Sequence, residues 1–596
     1  MRGGPLIGRS QLEIVACAGL LLALSEGAAQ SPTPADPLLG IWASETTFTP
    51  PLRGELLVTR SGSNWWARLG SVEVAFHTTG DSVRFAFPGD LGQFRGILIE
   101  NSKSIRGFWI QSAGMTFGNA YASPLTLRSK GVNLWRGQVT PLEDTYALYL
   151  IVSRNSAGSL VGVFRNPERN QRGGAAEFSV RRVRDSVFLA ARPDTTKPEI
   201  RYAATFDTAA QQLSLYWPSL GQTLVLTPRR HDQAVGLFPR LPSDLRYTYG
   251  PPIAEDDGWQ SQPARAVGFD EQKLQTLVQR IADTLPTLPR APFIHSLLIA
   301  RNGKLVLEEY FAGYQRDFVH DTRSAAKTFT SVLLGAAMLG GAPISPETPI
   351  ASVMGYAAPF ANPDPRKQKI TLANLMTHSS GLACDDNDDA SPGNENTQWT
   401  QSAQPDFWKF MMDLPMSTDP GAHYAYCSGG MNLAGAALTI GTKTWLPELF
   451  DRTLARPLQF GRYYFNLSPA LEGYLGGGMR MRPRDLLKVG QLYLDGGVWN
   501  GKRIVAQSWV TRSTSKQVEG STNGNDGYAW HRNDLKSGAR TYREYEANGN
   551  GGQFLIVVPE LDLAVVFTAG NYGDYRVWRW FRDDMVANAI IPALAK

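Results

Sequence analysis

A proline-rich segment, from Pro251 to Pro263, separates two parts of the chain whose hydrophobic patterns differ. Before it, the sequence consists of short alternating runs such as Leu148–Ser153, which are typical of β-strands. After it, strand-like and helical runs alternate. At 596 residues the chain is too long for one hydrophobic core. We therefore predict a β-rich domain over residues 38–248 and a mixed domain over residues 258–596.

The β-rich part is expected to fold as a sandwich or a barrel, because its strand-like runs are short and closely spaced. It also contains an internal repetition, which predicts two related β units. The matching pairs keep their order at offsets of 93, 104 and 108 residues: Gly40-Ile41-Trp42 with Leu134-Trp135-Arg136-Gly137, Asp81-Ser82-Val83 with Asp185-Ser186-Val187, and Phe108-Trp109 with Tyr216-Trp217.

The mixed part begins with an amphipathic helix, predicted over Phe269–Ile281, whose leucine and isoleucine side chains share one stripe. Two strand-like runs over residues 296–310 are joined by Asn302-Gly303, the strongest short-range signal for a β-hairpin. A second hairpin is predicted over residues 554–567, and residues 371–494 are mainly helical. This order predicts an α+β domain whose sheet is assembled from both ends of the segment.

Ser324 and Lys327 stand at the start of an apolar run, Thr328–Met338, which predicts a buried helix. Positions i and i+3 share a helix face, so the Lys327 amine is expected beside the Ser324 hydroxyl. Asp321 or Thr322 would cap the helix and leave Ser324 in its first turn, where free N–H groups favour negative charge. A hydroxyl becomes a good nucleophile when a neighbour takes its proton, and a lysine does so once burial lowers its pKa.

Other candidate sites are weaker. A second Ser-x-x-Lys, residues 513–516, lies in a polar stretch and is expected at the surface. His320 and His378 are not expected to act as a triad base, because the chain contains no Gly-x-Ser-x-Gly segment. The aspartates of residues 385–389 lack the glycine and glutamate of an EF-hand, so a solvated loop is favoured over a calcium site. Residues 527–530 either line the substrate cleft or pack in the core.

Five ordered segments of residues 258–596 resemble the class C β-lactamase and penicillin-binding protein superfamily of serine hydrolases. Ser324-Ala-Ala-Lys327 is similar to its nucleophile motif, and Tyr426-Cys427-Ser428 resembles its Tyr-x-Asn loop. The other segments are Ile370–Leu382, Gly476–Met479 with Arg484-Asp485-Leu486 and Gly490-Gln491-Leu492, and Gly549–Gln553 in the place of the Lys/His-x-Gly motif. The resemblance implies an antiparallel sheet with flanking helices and a helical subdomain, preceded by the all-β N-terminal domain.

The resemblance also implies roles for single residues. Ser324 would attack a carbonyl carbon and form an acyl-enzyme, while Tyr426 would share proton transfer with Lys327. The backbone N–H groups of Ser324 and of a residue near Asn550 would form the oxyanion hole. The predicted oxyanion and substrate-binding residues are Asn550, Ser428 and Gly551.

Two departures from the family pattern narrow the predicted activity. Ser428 stands where relatives that hydrolyse β-lactams usually have Asn, and the segment around Asn550 lacks the usual Lys or His. Both favour esters or linear amides over β-lactams, as in the esterase and aminohexanoate-oligomer hydrolase branch. The alternatives are a non-catalytic penicillin-recognising protein, a β-lactamase and a D-amino-acid peptidase. The expected partner is a small ester or amide substrate, and neither a metal nor another cofactor is predicted.

Residues 1–29 are interpreted as a removable signal peptide. Arg2 and Arg9 precede an apolar stretch, Ile14–Leu24, and small residues follow it. The stretch is shorter than the roughly 20 residues that span a bilayer, so no transmembrane segment is predicted. The protein is therefore expected to be exported to the periplasm or secreted, and lipid attachment at Cys17 is less favoured.

After signal cleavage, Cys384 and Cys427 would remain. An exported pair forms a disulfide or stays as two buried thiols, and the sequence favours neither. The formal net charge of +5 is small for this length, and no Lys/Arg-rich run occurs, so nucleic acid is not predicted as a partner. The sequence specifies neither the natural substrate nor the oligomeric state.

Overall fold

The computed structural model describes residues 36–99, 101, 103–115, 118–169, 176–192, 198–240, 246–288, 290–355, 360–517 and 526–595. The predicted signal peptide and Cys17 lie outside these ranges. From Gly40 to Lys596 the chain forms one compact unit. Among the described residues, no helix has both the length and the apolar character needed to cross a membrane.

The described residues before the proline-rich segment form strands and short 3₁₀ turns, as their alternating pattern predicts. The strands are β1 Gly40–Phe48, β2 Gly54–Ser61, β3 Asn64–Leu69, β4 Val72–Phe76, β5 Ser82–Ala86, β6 Gln93–Ile99, β7 Ser104–Gln111, β8 Ala120–Gly131, β9 Leu134–Val139, β10 Asp144–Arg154, β11 Leu160–Arg165, β12 Glu177–Val183, β13 Ser186–Ala191, β14 Ile200–Asp207, β15 Gln212–Trp217 and β16 Gln222–Arg229.

Eight of these strands close a barrel in the order β1-β10-β11-β12-β13-β14-β15-β16. Every pair is antiparallel, and β1 closes the barrel by pairing with β10 on one side and β16 on the other. Alternate side chains of each strand point inward. Aromatic rings fill the interior: Trp42 lies edge-on to Phe206 at 5.7 Å, and Phe164 contacts Phe178 at 5.3 Å between centroids.

The other eight strands, β2 to β9, surround a second apolar core. Consecutive strands are hydrogen-bonded neighbours from β2 to β4 and from β5 to β9, and β9 pairs with β2. The described residues of β4 and β5 share no ladder, but Phe76 and Phe85 meet across the gap at 4.9 Å between ring centroids. This unit is therefore a barrel that is hydrogen-bonded at every seam but one.

Each unit is completed by one strand from the other half of the N-terminal sequence. β1 lies in the barrel made by β10–β16, whereas β9 pairs into the unit made by β2–β8. The units have thus exchanged β1 and β9. The three matching sequence pairs fall at equivalent strands of the two halves: in β1 and β9, at the start of β5 and β13, and in β7 and β15. The division of residues 38–248 into two related units stays a prediction, and this correspondence is the observation that favours it.

The mixed part contains the remaining elements: β17 Gln260–Ser261, α1 Glu271–Ala282, β18 Ile294–Arg301, β19 Lys304–Tyr310, β20 His320–Asp321, α2 Thr328–Leu339, α3 Ile350–Met354, α4 Leu372–Met376, α5 Glu395–Thr400, α6 Phe407–Asp413, α7 Ser428–Thr442, α8 Leu446–Phe450, β21 Tyr463–Leu467, β22 Arg480–Met481, α9 Pro483–Leu494, β23 Val498–Trp499, β24 Lys502–Arg503, α10 Gln507–Ser513, β25 His531–Ser537, β26 Arg540–Gly549, β27 Gln553–Val558, β28 Leu563–Ala569 and α11 Tyr575–Trp580.

A seven-stranded sheet in the order β17-β19-β18-β28-β27-β26-β25 forms the centre of this part. Both predicted hairpins are confirmed as β18–β19 and β27–β28, and Asn302 and Gly303 have the positive φ values, 51° and 70°, that such a turn requires. One face packs against α1 and the C-terminal helical turns, and the other against α2, α7 and α9. The sheet is thus built from both ends of the segment, as predicted.

A short extension joins the two parts of the chain. β21 pairs with β8 of the N-terminal region through Phe465–Leu467, and β22 pairs with both β21 and β20. β20 ends at Asp321, three residues before Ser324. The N-terminal strands therefore belong to the same sheet that supports the segment leading to Ser324.

Candidate active site

Ser324 and Lys327 lie on a tight turn that leads into the buried helix α2. Residues Arg323–Lys327 form a 3₁₀ turn rather than the first turn of an α-helix, and α2 begins at Thr328. The Ser324 Oγ lies 3.0 Å from the Lys327 Nζ, so the predicted pair is in hydrogen-bond contact. Arg323 has a φ of +47°, a strained value for a residue with a side chain, and such strain is common next to reactive groups.

Asp321 caps this turn. Its Oδ1 accepts a hydrogen bond from the Arg323 N–H at 2.9 Å, and its Oδ2 lies 3.2 Å from the Arg323 Nε. Burial alone would raise the pKa of Asp321, but Arg323 and Arg480 lower it to about 2. Thr322, the other predicted cap, instead donates from its hydroxyl to the Met479 carbonyl at 2.7 Å. The turn is therefore held by a charged carboxylate at all ordinary pH values.

The glycine segment 476–478 packs directly on the nucleophile turn. The Gly476 carbonyl accepts a hydrogen bond from the Lys327 Nζ, and the Gly478 N–H donates to the Arg323 carbonyl at 3.2 Å. A side chain on Gly477, which has a φ of +155°, would come within 3.2 Å of that same carbonyl. The absence of side chains lets the segment reach the Lys327 amine, which gives a physical reason for this part of the family resemblance.

Lys327 is a buried cation and not the neutral base that its burial predicts. Its Nζ lies 4.9 Å from the centroid of the Tyr426 ring. Burial disfavours the charge, but Tyr426, Glu395 and Asp386 outweigh it, so the pKa of Lys327 lies above its ordinary value. The expectation of a lowered pKa was therefore wrong, because it considered desolvation without the acidic groups that the fold brings near.

The loop that presents Tyr426 is fixed on both sides. The Asp386 N–H donates to the Tyr426 carbonyl at 2.8 Å, and the Asp386 Oδ2 accepts the Ser428 N–H at 2.7 Å. Cys384 and Cys427 form a disulfide, which joins the same two segments. Burial raises the pKa of Asp386. The interpretation of residues 385–389 as a solvated loop is thus wrong for Asp386, which ties the Tyr426 loop in place.

His378 packs against Tyr426 but cannot act as a base. Its ring lies 4.6 Å from the Tyr426 ring, and its Nδ1 accepts the Cys427 N–H at 3.1 Å. Burial and the charges of Lys327 and His531 lower the pKa of His378 to about 3. The imidazole is therefore neutral at ordinary pH, with its remaining proton on Nε2.

The three predicted oxyanion and substrate-binding residues lie in different positions relative to Ser324. Ser428 is buried at the start of α7 and does not line the cavity beside Ser324. The Asn550 side chain turns away and accepts the Gly573 N–H at 2.7 Å, while Gly551 forms the following turn with a φ of +99°. Gly549, which ends β26, lies against the nucleophile turn: a methyl group there would lie 3.0 Å from the Ser324 nitrogen. The structure thus leaves Asn550 a role only through its backbone.

Three polar residues that sequence reasoning missed lie beside Ser324. Asp526, His531 and Asn548 line a small cavity together with Ser324 and Lys327. The only sequence signal nearby was the segment 527–530, which contributes both to this wall and to the apolar core. His531 is the first residue of β25, about 200 positions after Ser324. No motif spacing connects residues that are so far apart in the chain, so the sequence pattern does not reveal this residue.

The second Ser-x-x-Lys is not a site, although its placement differs from the prediction. Ser513 is fully buried at the end of α10, and its hydroxyl donates to the Val510 carbonyl at 3.3 Å, whereas Lys516 is exposed. The surface prediction is therefore wrong for Ser513 and confirmed for Lys516. The helix α10 packs against α2, where the Trp509 Nε1 donates to the Ser331 carbonyl at 3.0 Å.

A larger cavity, of 740 Å³, lies between the N-terminal strands and the mixed part, behind the nucleophile turn. Asp144, at the start of β10, reaches across this boundary and binds the Arg480 Nη2 at 3.0 Å. Arg480 in turn faces Asp321, whose pKa it helps to lower. The N-terminal region therefore supports the nucleophile turn through a buried ion pair.

Comparison with known proteins gives the following similarities. Residues 295–584 match the family model for Beta-lactamase. A 6-aminohexanoate-dimer hydrolase from Paenarthrobacter ureafaciens is 24% identical over 242 residues, which are 40% of this chain and 59% of that enzyme. The chain thus spans less than two thirds of the length of this relative.

Two solved structures are each similar to about half of the chain. EstCE1, a hydrolase with promiscuous acyltransferase activity, is 14% identical with a TM-score of 0.41, over 52% of this chain and 96% of its own. A penicillin-binding protein from Bacillus halodurans is 15% identical with a TM-score of 0.38, over 48% of this chain and 94% of its own.

Proposed function

Because residues 295–584 belong to the β-lactamase and penicillin-binding protein superfamily of serine hydrolases, we propose that this protein cleaves carboxylic esters or linear amides through an acyl-enzyme on Ser324. The proposal rests on one observation above all: the Ser324 Oγ lies 3.0 Å from the Lys327 Nζ, and that amine lies 4.9 Å from the ring of Tyr426. A serine with a cation and a phenol at this range has the groups that acyl transfer needs.

In the acylation step, the Ser324 Oγ attacks the substrate carbonyl and its proton enters a relay through the hydroxyl of Tyr426. The Lys327 ammonium stabilises the negative charge that develops during this relay, because its own pKa is held above the ordinary value. Tyr426 then donates the proton to the leaving alcohol or amine as the carbonyl reforms. Proton transfer by a positioned group contributes on the order of 10²–10⁴ in rate.

The developing oxyanion requires hydrogen-bond donors on the opposite side of the carbonyl. The backbone N–H groups of Ser324 and Asn550 are the donors that we assign to it. The close approach of Gly549 to the Ser324 nitrogen supports this assignment, since it brings the residue after Gly549 next to the nucleophile turn. Loss of one such donor costs about 10²–10³ in rate in comparable sites.

The substrate class follows from what surrounds this pair. Ser428 is buried, and Ala547, Asn548 and Gly549 bring no cation to the end of β26. Nothing at these positions provides for the charged group of a β-lactam, whereas esters and neutral linear amides need none. The similar 6-aminohexanoate-dimer hydrolase supports the linear-amide part of this proposal.

The test is the hydrolysis of a p-nitrophenyl ester and of a matched p-nitroanilide by wild type and by Ser324→Ala. We expect the variant to lose turnover and labelling by a fluorophosphonate probe. Ser513→Ala is the matched control, because it removes the hydroxyl of the other Ser-x-x-Lys and should leave both unchanged. Undiminished turnover in Ser324→Ala would overturn the proposal.

The same experiment separates the alternatives. A stable adduct with fluorescent penicillin, without ester or amide turnover by the wild type, would indicate a penicillin-recognising protein instead. Rapid penicillin hydrolysis would indicate a β-lactamase, and release of D-alanine from a D-Ala-D-Ala peptide a D-amino-acid peptidase.

Export to the periplasm or the medium is part of the proposed function and is supported by the charged and apolar pattern of residues 1–29. N-terminal sequencing of the protein purified from cell fractions tests it. A mature chain that begins near residue 30 in the exported fraction is expected, and an intact Met1 in the cytosol would contradict it.

A further inference from the structure

A cavity of about 10 Å³ lies directly beside the Ser324 hydroxyl. The polar residues that line it are Ser324, Lys327, Thr328, His378, Asp526, His531 and Asn548, with Trp530 beside them, and the rest of the wall is apolar or backbone. A buried water requires a space of roughly 10–15 Å³ and two to four polar partners. In size and in chemistry, this cavity fits one water molecule.

Asp526 and His531 form a buried pair in the cavity wall. The Asp526 Oδ1 lies 3.2 Å from the His531 Nδ1, and their side chains are 5% and 17% exposed. The Asp526 Oδ2 is buried and has no hydrogen-bond partner among the described residues. An unpaired buried carboxylate oxygen is costly, and a water in the cavity would satisfy it.

The pair also fixes which nitrogen of His531 is free to accept a proton. A hydrogen bond from Nδ1 to the Asp526 carboxylate leaves Nε2 with a free lone pair in the neutral ring. Burial disfavours the imidazolium, but Asp526 outweighs it, so the pKa of His531 lies above its ordinary value. A raised pKa makes the neutral ring a stronger proton acceptor.

The other nitrogen groups at the cavity cannot take a proton. The Lys327 Nζ donates to the Ser324 Oγ and to the Gly476 carbonyl and is held as a cation. The His378 Nδ1 accepts the Cys427 N–H, and the pKa of that ring is lowered to about 3. His531 is therefore the nitrogen base that remains.

We propose that this cavity binds the water that hydrolyses the acyl-enzyme and that His531, oriented by Asp526, is the general base for that water. The inference rests on the proposed acyl-enzyme at Ser324. The water oxygen forms a bond to the acyl carbon while its proton moves to the His531 Nε2. The bond between that carbon and the Ser324 Oγ then breaks, and Oγ takes a proton from Lys327. The proton on His531 returns to Lys327 through solvent as the acid leaves.

The proposal separates the two halves of the reaction between different residues. Tyr426 moves the proton in acylation, the Asp526–His531 pair takes the proton of the water in deacylation, and Lys327 contributes to both steps. Removing His531 should therefore leave acylation intact and make the acyl-enzyme accumulate. A residue with a purely structural role would slow both steps together.

The test is rapid mixing of a p-nitrophenyl ester with wild type and His531→Gln, followed by intact-mass measurement. We expect His531→Gln to release a burst of close to one p-nitrophenol per site. Its steady-state rate should then fall by about 10²–10⁴, with an acyl adduct on Ser324. Hydroxylamine, a stronger nucleophile that needs no general base, should discharge this adduct. His77→Gln, at an exposed histidine, is the control and should behave as wild type.

Asp526→Asn provides a second variant, in which the imidazole remains but loses its orienting carboxylate, and a smaller accumulation of adduct is expected. If His531→Gln lost burst and steady-state rate equally, or kept its turnover, the role of His531 would be overturned. The proposed acyl-enzyme on Ser324 would still stand. Absence of both adduct and turnover in the wild type would overturn the proposed function and this inference with it.

Discussion

Replacement of Gly549 by alanine tests the packing of β26 on the nucleophile turn. Gly549 is the last residue of the strand, and a methyl group there would lie 2.5 Å from the Thr322 carbonyl oxygen and 3.0 Å from the Ser324 nitrogen. Ordinary contact begins at 3.4 Å, so the two backbones must separate by about 0.9 Å. Neither neighbour is a flexible side chain, and the Thr322 carbonyl already accepts the Ala325 N–H at 3.1 Å.

The expected cost follows from this displacement. The separation pulls apart the two backbone donors that we assign to the oxyanion hole, Ser324 and Asn550. A misplacement of about 1 Å at a reacting centre costs on the order of 10² in rate, which corresponds to about 2.7 kcal/mol of transition-state stabilisation. Because the lost contact forms with the transition state, kcat should fall and KM should change little.

The assay is steady-state hydrolysis of a p-nitrophenyl ester, with thermal melting to confirm that the variant folds. Gly250→Ala is the control, since a methyl group at that exposed position meets no atom within 4 Å. A kcat within twofold of wild type, in a variant that melts normally, would refute the assignment of the oxyanion hole to the contact between β26 and the turn.

Three further outcomes follow from the buried polar groups. Asp144→Asn removes the carboxylate that joins the N-terminal barrel to the nucleophile turn and should lower the free energy of unfolding by about 3–5 kcal/mol. Glu143→Gln, at an exposed ion pair, should change the free energy of unfolding by less than about 1 kcal/mol. Urea titrations of both variants measure the difference, and equal effects would contradict the role of Asp144. Opening the disulfide by Cys384→Ser frees a loop with a sequence separation of 43 and should cost about 4 kcal/mol. Reductant should lower the melting temperature of the wild type but not of that variant. The folded-state pKa of His378, about 3, is below the ordinary value of 6.5, so the unfolded chain takes the proton first. Stability should therefore fall progressively as the pH drops from about 6.5 toward 3, and His378→Gln should flatten that decline in the urea midpoint.

Local pattern was sufficient for much of the fold. The hairpin at Asn302-Gly303 follows from the positive φ that both residues tolerate, and the burial of α2 from its uniformly apolar sequence. Ser324 and Lys327 could be paired because residues three apart on a helical turn share a face, whether that turn is α or 3₁₀. Each of these inferences depends on residues that are close in the chain.

Tertiary structure decided everything that depends on residues distant in the chain. No spacing reveals that β1 and β9 each complete the other unit, or that β8 extends the sheet that leads to Ser324. The sign of the shift in the pKa of Lys327 required the acidic groups that fold around it, since desolvation and charge act in opposite directions.

The Ser324–Lys327 pair was therefore determined by the sequence, and its chemistry by the fold. The proposed base, His531, is brought to the serine by β25, at the edge of the sheet. Its partner Asp526 is buried with it, and only burial makes an unpaired carboxylate oxygen significant. Distance and desolvation are properties of the folded chain, and for that reason this part of the site has no signature in the sequence.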